Sequence, residues 1–142
     1  PEQSLVGGPS IMLKGISHIG IAVRNLDEAI KVYTEALGAK LGEIHRAPEA
    51  GMAAAMLSVG GDKLELIEPI GTEGVIAKFL ENRGEGIHHI SIEVDDIDKA
   101  LKSLSAKGVR LIDTKPRQGI EGKVAFIHPK SMNGVLIELV EK

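Results

Sequence analysis

His18 and His89 each open a short alternating stretch, and Glu65 and Glu138 each stand between two apolar residues farther along the chain. Two imidazoles and two carboxylates are the donor set of a borderline or hard divalent ion, with the carboxylates neutralising its charge. Four such ligands in an octahedral sphere leave two adjacent positions for substrate oxygens. Taken singly, each residue has a plainer reading. A His at a strand start is usually structural or solvated, and a Glu alternating with Leu usually lies on a wet sheet face. Their arrangement separates them from that background.

The arrangement is an internal repeat. Residues 18–31 lie over residues 89–102 without a gap, at an offset of 71. Identities fall at the leading His and at Ile19/Ile90, Ile21/Ile92, Val23/Val94, Asp27/Asp98, Ala29/Ala100 and Lys31/Lys102. Farther on, Gly38 lies over Gly108, and Leu64-Glu65-Leu66 over Ile137-Glu138-Leu139. Alternation puts Ile19, Ile21 and Val23 on one strand face and His18, Gly20 and Ala22 on the other. By the same parity Glu65 opposes Leu64 and Leu66, His89 opposes Ile90 and Ile92, and Glu138 opposes Ile137 and Leu139. All four polar side chains therefore turn away from their core faces, and an approximate two-fold relation between the halves brings them to one axis. Glu68 and Glu141 also repeat, but on the opposite parity, and read as strand-end charges.

The elements that position these residues follow the same duplication. Asn25 and Asp96 suit helix N-caps, with Glu28 at capping-box spacing. Leu26, Ala29, Ile30, Tyr33 and Leu37 recur at helical spacing, as do Ile97, Ala100, Leu101 and Leu104. Gly38 and Gly108 end the helices. Strands are expected over residues 39–46, 53–59 and 63–68, then over 109–112, 123–128 and 134–140, with Gly60-Gly61 and Asn133-Gly134 as hairpin turns. The expected fold is α+β: two tandem βαβββ modules, residues 13–70 and 86–141, joined by a connector helix over 74–83. One helix cannot cover four strands on both faces, so the curved mixed sheets enclose a metal-containing cleft. Residues 1–12 read as a flexible leader.

Of the other histidines, His88 has the wrong parity for the cleft and should pack or hydrogen-bond behind the sheet. His45 ends a strand near loop residues, and His128 shapes the turn at Pro129 or reaches the cleft rim. The 142 residues suit one domain with a real core. A net charge of −3 and an aromatic fraction of 2% offer neither electrostatic pull nor stacking platforms for nucleic acid. No apolar run approaches the ~20 residues of a membrane span. With no cysteine, thiolate ligands and disulfides are excluded, in keeping with a reducing compartment.

The segments His18-Ile-Gly-Ile-Ala-Val, Ile76-Ala-Lys-Phe-Leu, Gly84-Glu-Gly-Ile-His-His-Ile90, Phe126-Ile-His-Pro-Lys130 and Gly134-Val-Leu-Ile-Glu-Leu139 resemble the vicinal oxygen chelate superfamily. Within it they resemble the methylmalonyl-CoA epimerase family, from Leu13 to Glu141. The first and last motifs are superfamily-wide; the double-His strand and the His-Pro-Lys loop are more specific. The resemblance implies interconversion of (R)- and (S)-methylmalonyl-CoA through a metal-stabilised enolate, with His18, Glu65, His89 and Glu138 holding one divalent ion per chain. Cobalt is the favoured ion; manganese, nickel, zinc and magnesium accept the same sphere. It also implies a homodimer, in the cytoplasm or, in a eukaryote, the mitochondrial matrix. Glu138 doubles as an acid/base. Some family members carry a second base three residues after the glycine equivalent to Gly51, where this chain has Ala54; Glu49 is the substitute expected here. For the coenzyme A portion, Lys115, Arg117, Gly119, Lys123 and Lys130 offer basic loops to phosphate or carboxylate. Two other readings share the fold: a glyoxalase I-type lactoylglutathione lyase and a metal-free small-molecule binding protein.

Overall fold

The alternation around His18 forms strand β1, Leu13–Ala22, in a computed structural model that describes residues 11–142. Those residues fall into two units, His18–His89 on one hand and residues 11–17 with 90–142 on the other. Most of the expected leader, residues 1–10, lies outside the described residues. Ile11 packs against the apolar core of the second unit, and the Met12 carbonyl accepts the Asp95 N–H at 3.2 Å.

In the His18–His89 unit the strand order is β2-β3-β4-β1, with β2 at Lys40–Ala47, β3 at Met52–Val59 and β4 at Asp62–Pro69. β4 runs parallel to β1, and β3 antiparallel to β2 and β4. The β3–β4 turn is Gly60-Gly61, closed by the Val59–Asp62 pair, with Gly60 at φ 67°. Helix α1, Leu26–Lys31, is capped by the Asn25 side chain, which accepts the Glu28 N–H at 3.0 Å. Its apolar face meets Ile21, Val23, Ala53, Ala55, Leu57, Leu64 and Leu66. The opposite face of the sheet carries Ala22 and Ile67, against Ile76 and Leu80 of helix α2, Val75–Arg83. The strand parity read from the sequence holds for Ile21, Val23, Leu64 and Leu66, which face α1, while the face of His18 and Glu65 also carries a second apolar cluster, Ala22 and Ile67 against α2.

One core expectation fails. Leu37 is 64% exposed rather than packed. The chain after α1 widens into a π-helical stretch, Val32–Ala36, in which the Leu37 N–H reaches back to the Val32 carbonyl. The extra residue in that turn swings Leu37 off the face that Leu26, Ala29, Ile30 and Tyr33 share.

The second unit contains residues 90–94 of β5 (Gly86–Val94), helix α3 (Ile97–Ala106), β6 (Arg117–Gln118), β7 (Lys123–Ile127) and β8 (Ile137–Glu141), in the order β5-β8-β7-β6. Asp96 caps α3 by accepting the Lys99 N–H at 3.0 Å, and Ile97, Ala100 and Leu101 are buried against Ala125, Ile127 and Leu139. The strand expected over residues 109–112 shrinks to a single bridge, Leu111–Ile127. The reason is local: the Phe126 carbonyl takes both the Ile112 and Asp113 N–H groups, while the Asp113 carboxylate takes the Phe126 N–H at 2.8 Å. A side chain replaces the backbone partner that would have extended the ladder. Strand β8 likewise starts at Ile137 rather than residue 134, because Gly134 and Val135 donate to Pro129 and Met132 within the preceding turn.

Glu68 and Glu141 are more than strand-end charges. Glu68 accepts the Leu26 N–H at 2.7 Å and Glu141 accepts the Ile97 N–H at 2.9 Å, so each repeat ties its last strand to the N-terminus of its helix. A carboxylate suits that place because the first helical N–H groups lack partners and carry partial positive charge.

Candidate metal centre

β1 and β4 lie in parallel register with Gly20 beside Glu65, which sets His18, one pleat earlier on the same face, next to that carboxylate. β5 brings His89 to the same point. His18 Nε2 stands 3.1 Å from His89 Nε2, and Glu65 Oε1 lies 3.3 Å from the first and 3.4 Å from the second. All three residues are 5% exposed or less, so water cannot satisfy them, and buried polar groups at such density need one another or an ion. Spacings slightly above 3 Å are those of neighbouring donors on an ion with bonds of about 2.1 Å. The donors and their spacing fit one divalent metal ion.

Burial alone would raise the Glu65 carboxyl. Hydrogen bonds from His18 and His89, and the positive charge those rings can carry, outweigh it and hold the carboxyl at about 2. Glu65 is thus an anion at any ordinary pH, a standing counter-charge for a cation between the rings.

Two neighbours hold the His89 ring in place, and sequence parity signalled neither. The first is Gly20. A methyl group built on it would fall 2.7 Å or less from three atoms of the His89 imidazole, so only glycine lets the ring lie across β1. The second is His88, whose Nδ1 lies 2.9 Å from His89 Nδ1, leaving Nε2 of His89 to face the site. His88 packs edge-on against Phe79 of α2, with ring centroids 5.0 Å apart. Burial, with the neighbouring His89, presses its basicity down to about 4, so it is neutral near pH 7.

Glu138 is buried on β8 in the second unit, in register with Ser91 of β5 and Phe126 of β7. That is the place Glu65 holds beside Gly20 and Met56 in the first unit.

The family model for the glyoxalase, bleomycin resistance protein and dioxygenase superfamily matches residues 17–126. A mitochondrial methylmalonyl-CoA epimerase of Dictyostelium discoideum is 45% identical over 89% of this chain and 78% of its own length. The crystal structure of methylmalonyl-CoA epimerase from Mycobacterium tuberculosis superposes with a TM-score of 0.87, at 40% identity, covering 94% of this chain and 91% of that one. A further solved structure, methylmalonyl-CoA epimerase in complex with methylmalonyl-CoA and NH4+, matches with a TM-score of 0.86 at 36% identity, covering 92% of this chain and 95% of that one. The chain belongs to the methylmalonyl-CoA epimerase family.

Of the remaining residues expected at an epimerase site, Ala54 is buried on the same face as Glu65, paired with Ile67. Glu49 is exposed in the helical turn Pro48–Ala50 between β2 and β3. In the second unit Arg117 pairs in register with Val124, on the sheet face that also carries Phe126 and Glu138. Its guanidinium lies 5.5 Å from the Phe126 ring centroid and 3.3 Å from the Asp113 carboxylate. Lys123 takes the opposite parity, Lys115 is exposed in the preceding loop, and Lys130 is exposed in the turn Pro129–Ser131. Gly119 closes its loop by donating to the Gly122 carbonyl at 2.7 Å. His128 shapes the Pro129 turn, its Nδ1 accepting the Lys130 N–H at 3.0 Å.

Proposed function

We propose that the protein is a metal-dependent epimerase that interconverts (R)- and (S)-methylmalonyl-CoA by removing and returning the proton on the carbon between thioester and carboxylate. The buried triangle of His18, His89 and Glu65, in a chain of this family, is the observation that carries the reading. His18, Glu65, His89 and Glu138 would hold one divalent ion; His18, His89 and Glu138 are likewise a buried set with the donor types for it. When bound, the ion would supply electrophilic stabilisation of the negative charge that builds on the substrate oxygens as the proton leaves.

The chain's own residues do the rest. Glu65 balances charge, while His88 and Gly20 fix the His89 ring. Glu138 is the first acid/base, supported by its burial and by its place equivalent to Glu65 in the repeat; Glu49 is the second carboxylate within the family reading. Arg117 is the best placed of the basic residues for an anionic substrate group, since it shares a sheet face with Glu138; Lys115, Gly119, Lys123 and Lys130 would serve coenzyme A from the loops. Cobalt remains the favoured ion. A homodimer acting in propionate metabolism, in the cytoplasm or a mitochondrial matrix, is the setting this reading implies.

The test is exchange of the substrate Cα proton in deuterated water by metal-loaded and chelator-treated protein, followed by NMR. Exchange with metal and its loss with chelator support the reading; absence of exchange in metal-loaded protein overturns it.

A further inference from the structure

The face of the second unit that carries Glu138 is set by the register. Ser91 and Glu93 belong to it on β5, Val140 on β8, Val124 and Phe126 on β7, and Arg117 on β6. Two of these polar side chains have partners away from Glu138. The Glu93 carboxylate lies 3.8 Å from Lys142 Nζ, and the Arg117 guanidinium 3.3 Å from the Asp113 carboxylate. Ser91 differs: it is 0% exposed, and its hydroxyl makes no hydrogen bond among the described residues. Burying a hydroxyl without a partner costs free energy that an Ala at the same place would not incur. The matching position of the first repeat, Gly20, carries no side chain, so the duplicated sheet does not depend on a hydroxyl there. Native folds leave few such groups, and each calls for a reason.

We propose that Ser91 is the positioning residue of Glu138: its hydroxyl donates to one oxygen of that carboxylate when the other oxygen serves the ion. The assignment rests on the ligand set of the epimerase reading above. Register makes Glu138 the acceptor within reach. Ser91 and Glu138 are paired directly on parallel neighbours, with both side chains on one face, and such strands lie about 4.8 Å apart. The other register neighbour of Glu138, Phe126, has no donor in its side chain. A carboxylate accepts at both oxygens, so one can face the ion while the second takes the hydroxyl proton. Carboxylates that ligate metals are commonly held in this way from outside the coordination sphere. Glu65 offers the contrast. Its Oε1 lies 3.3 and 3.4 Å from two imidazoles, and its register neighbours Gly20 and Met56 carry no side-chain donor. Glu138 thus receives from its own repeat a hydroxyl where Glu65 receives none. Ser91 acts through Glu138, by limiting the rotation of its carboxylate.

The test is a cobalt titration of metal-stripped, full-length protein followed by ligand-field absorption, with urea unfolding of the metal-free chain alongside. Ser91→Ala should weaken cobalt binding about 10- to 100-fold and shift the ligand-field bands, while its metal-free stability stays at or above that of wild type. Ser91→Gly removes the same hydroxyl and more volume, and should weaken binding to the same degree. Wild-type affinity with an unchanged spectrum in Ser91→Ala overturns the proposal. So does an affinity that falls with the volume removed, little in Ser91→Ala and much in Ser91→Gly. A loss of affinity matched by a loss of metal-free stability in Ser91→Ala also overturns it, because that is the result of a packing role. Wild-type protein that takes up no cobalt defeats the metal reading itself, and that result is distinct from a failure at Ser91.

Discussion

Gly20 of the first repeat and Ser91 of the second occupy matching positions, each on the opening strand of its half and each beside the ligand-type Glu of the closing strand. They have opposite surroundings. Gly20 has no room for even a methyl group, because the His89 ring fills the space above it. Ser91 is fully buried with a hydroxyl that makes no hydrogen bond among the described residues. The helix ends, by contrast, match closely: Asn25 and Asp96 cap them from before, and Glu68 and Glu141 tie them to the last strand of each repeat. Duplication preserved what positions the backbone, while the surroundings of the matched strand positions diverged. A repeated ligand pattern therefore does not mean repeated tolerance to substitution.

The largest effect should come from the rings themselves. His18→Ala and His89→Ala should each lose bound metal and activity together, as measured by elemental analysis and proton exchange; stoichiometric metal in both variants would break the assignment. Next, Gly20→Ala should lower metal affinity about 10- to 100-fold, the range expected when a group that orients a ligand is disturbed, and destabilise the chain by about 1–3 kcal/mol through overpacking. Ser91→Ala removes an unpartnered buried hydroxyl and should be neutral or stabilising by up to about 1 kcal/mol. If both changes cost the same in denaturant titrations, the contrast between the halves is wrong.

Smaller effects test the shared part. Glu68→Gln and Glu141→Gln should each cost about 1 kcal/mol, and a large difference between them would show that the two helix ties are not equivalent. A separate effect concerns pH. Glu65 titrates near 2 in the folded chain, below its ordinary value. Its ionisation therefore contributes stability that is complete above the unfolded-state value of about 4.3 and is lost as pH falls toward 2. Metal-free wild type should lose more stability than Glu65→Gln between pH 5 and pH 3 in urea titrations.

Much of this was legible along the chain. Alternation gave the strand faces, spacing gave the apolar sides of α1 and α3, and Asn25 and Asp96 marked the helix starts. What escaped depends on contacts between distant elements or on a local choice that periodicity does not encode. The π stretch that turns Leu37 outward is one inserted residue, invisible to a pattern of period 3.6. The break at residues 109–112 comes from one Asp113 carboxylate competing for the Phe126 N–H. Gly20 looked like any small strand residue until the His89 ring lay over it, and Glu68 and Glu141 looked solvated until β4 and β8 placed them under the helix ends.

The central claim, that His18, Glu65 and His89 help hold one ion on which the chemistry depends, is tested most directly by titrating cobalt into metal-stripped protein. Ligand-field absorption and substrate Cα exchange would be followed together. Both should rise in parallel and level off at one ion per chain, with neither rise in His89→Ala. Full exchange before any cobalt is added, or a spectrum unchanged by His89→Ala, would contradict it.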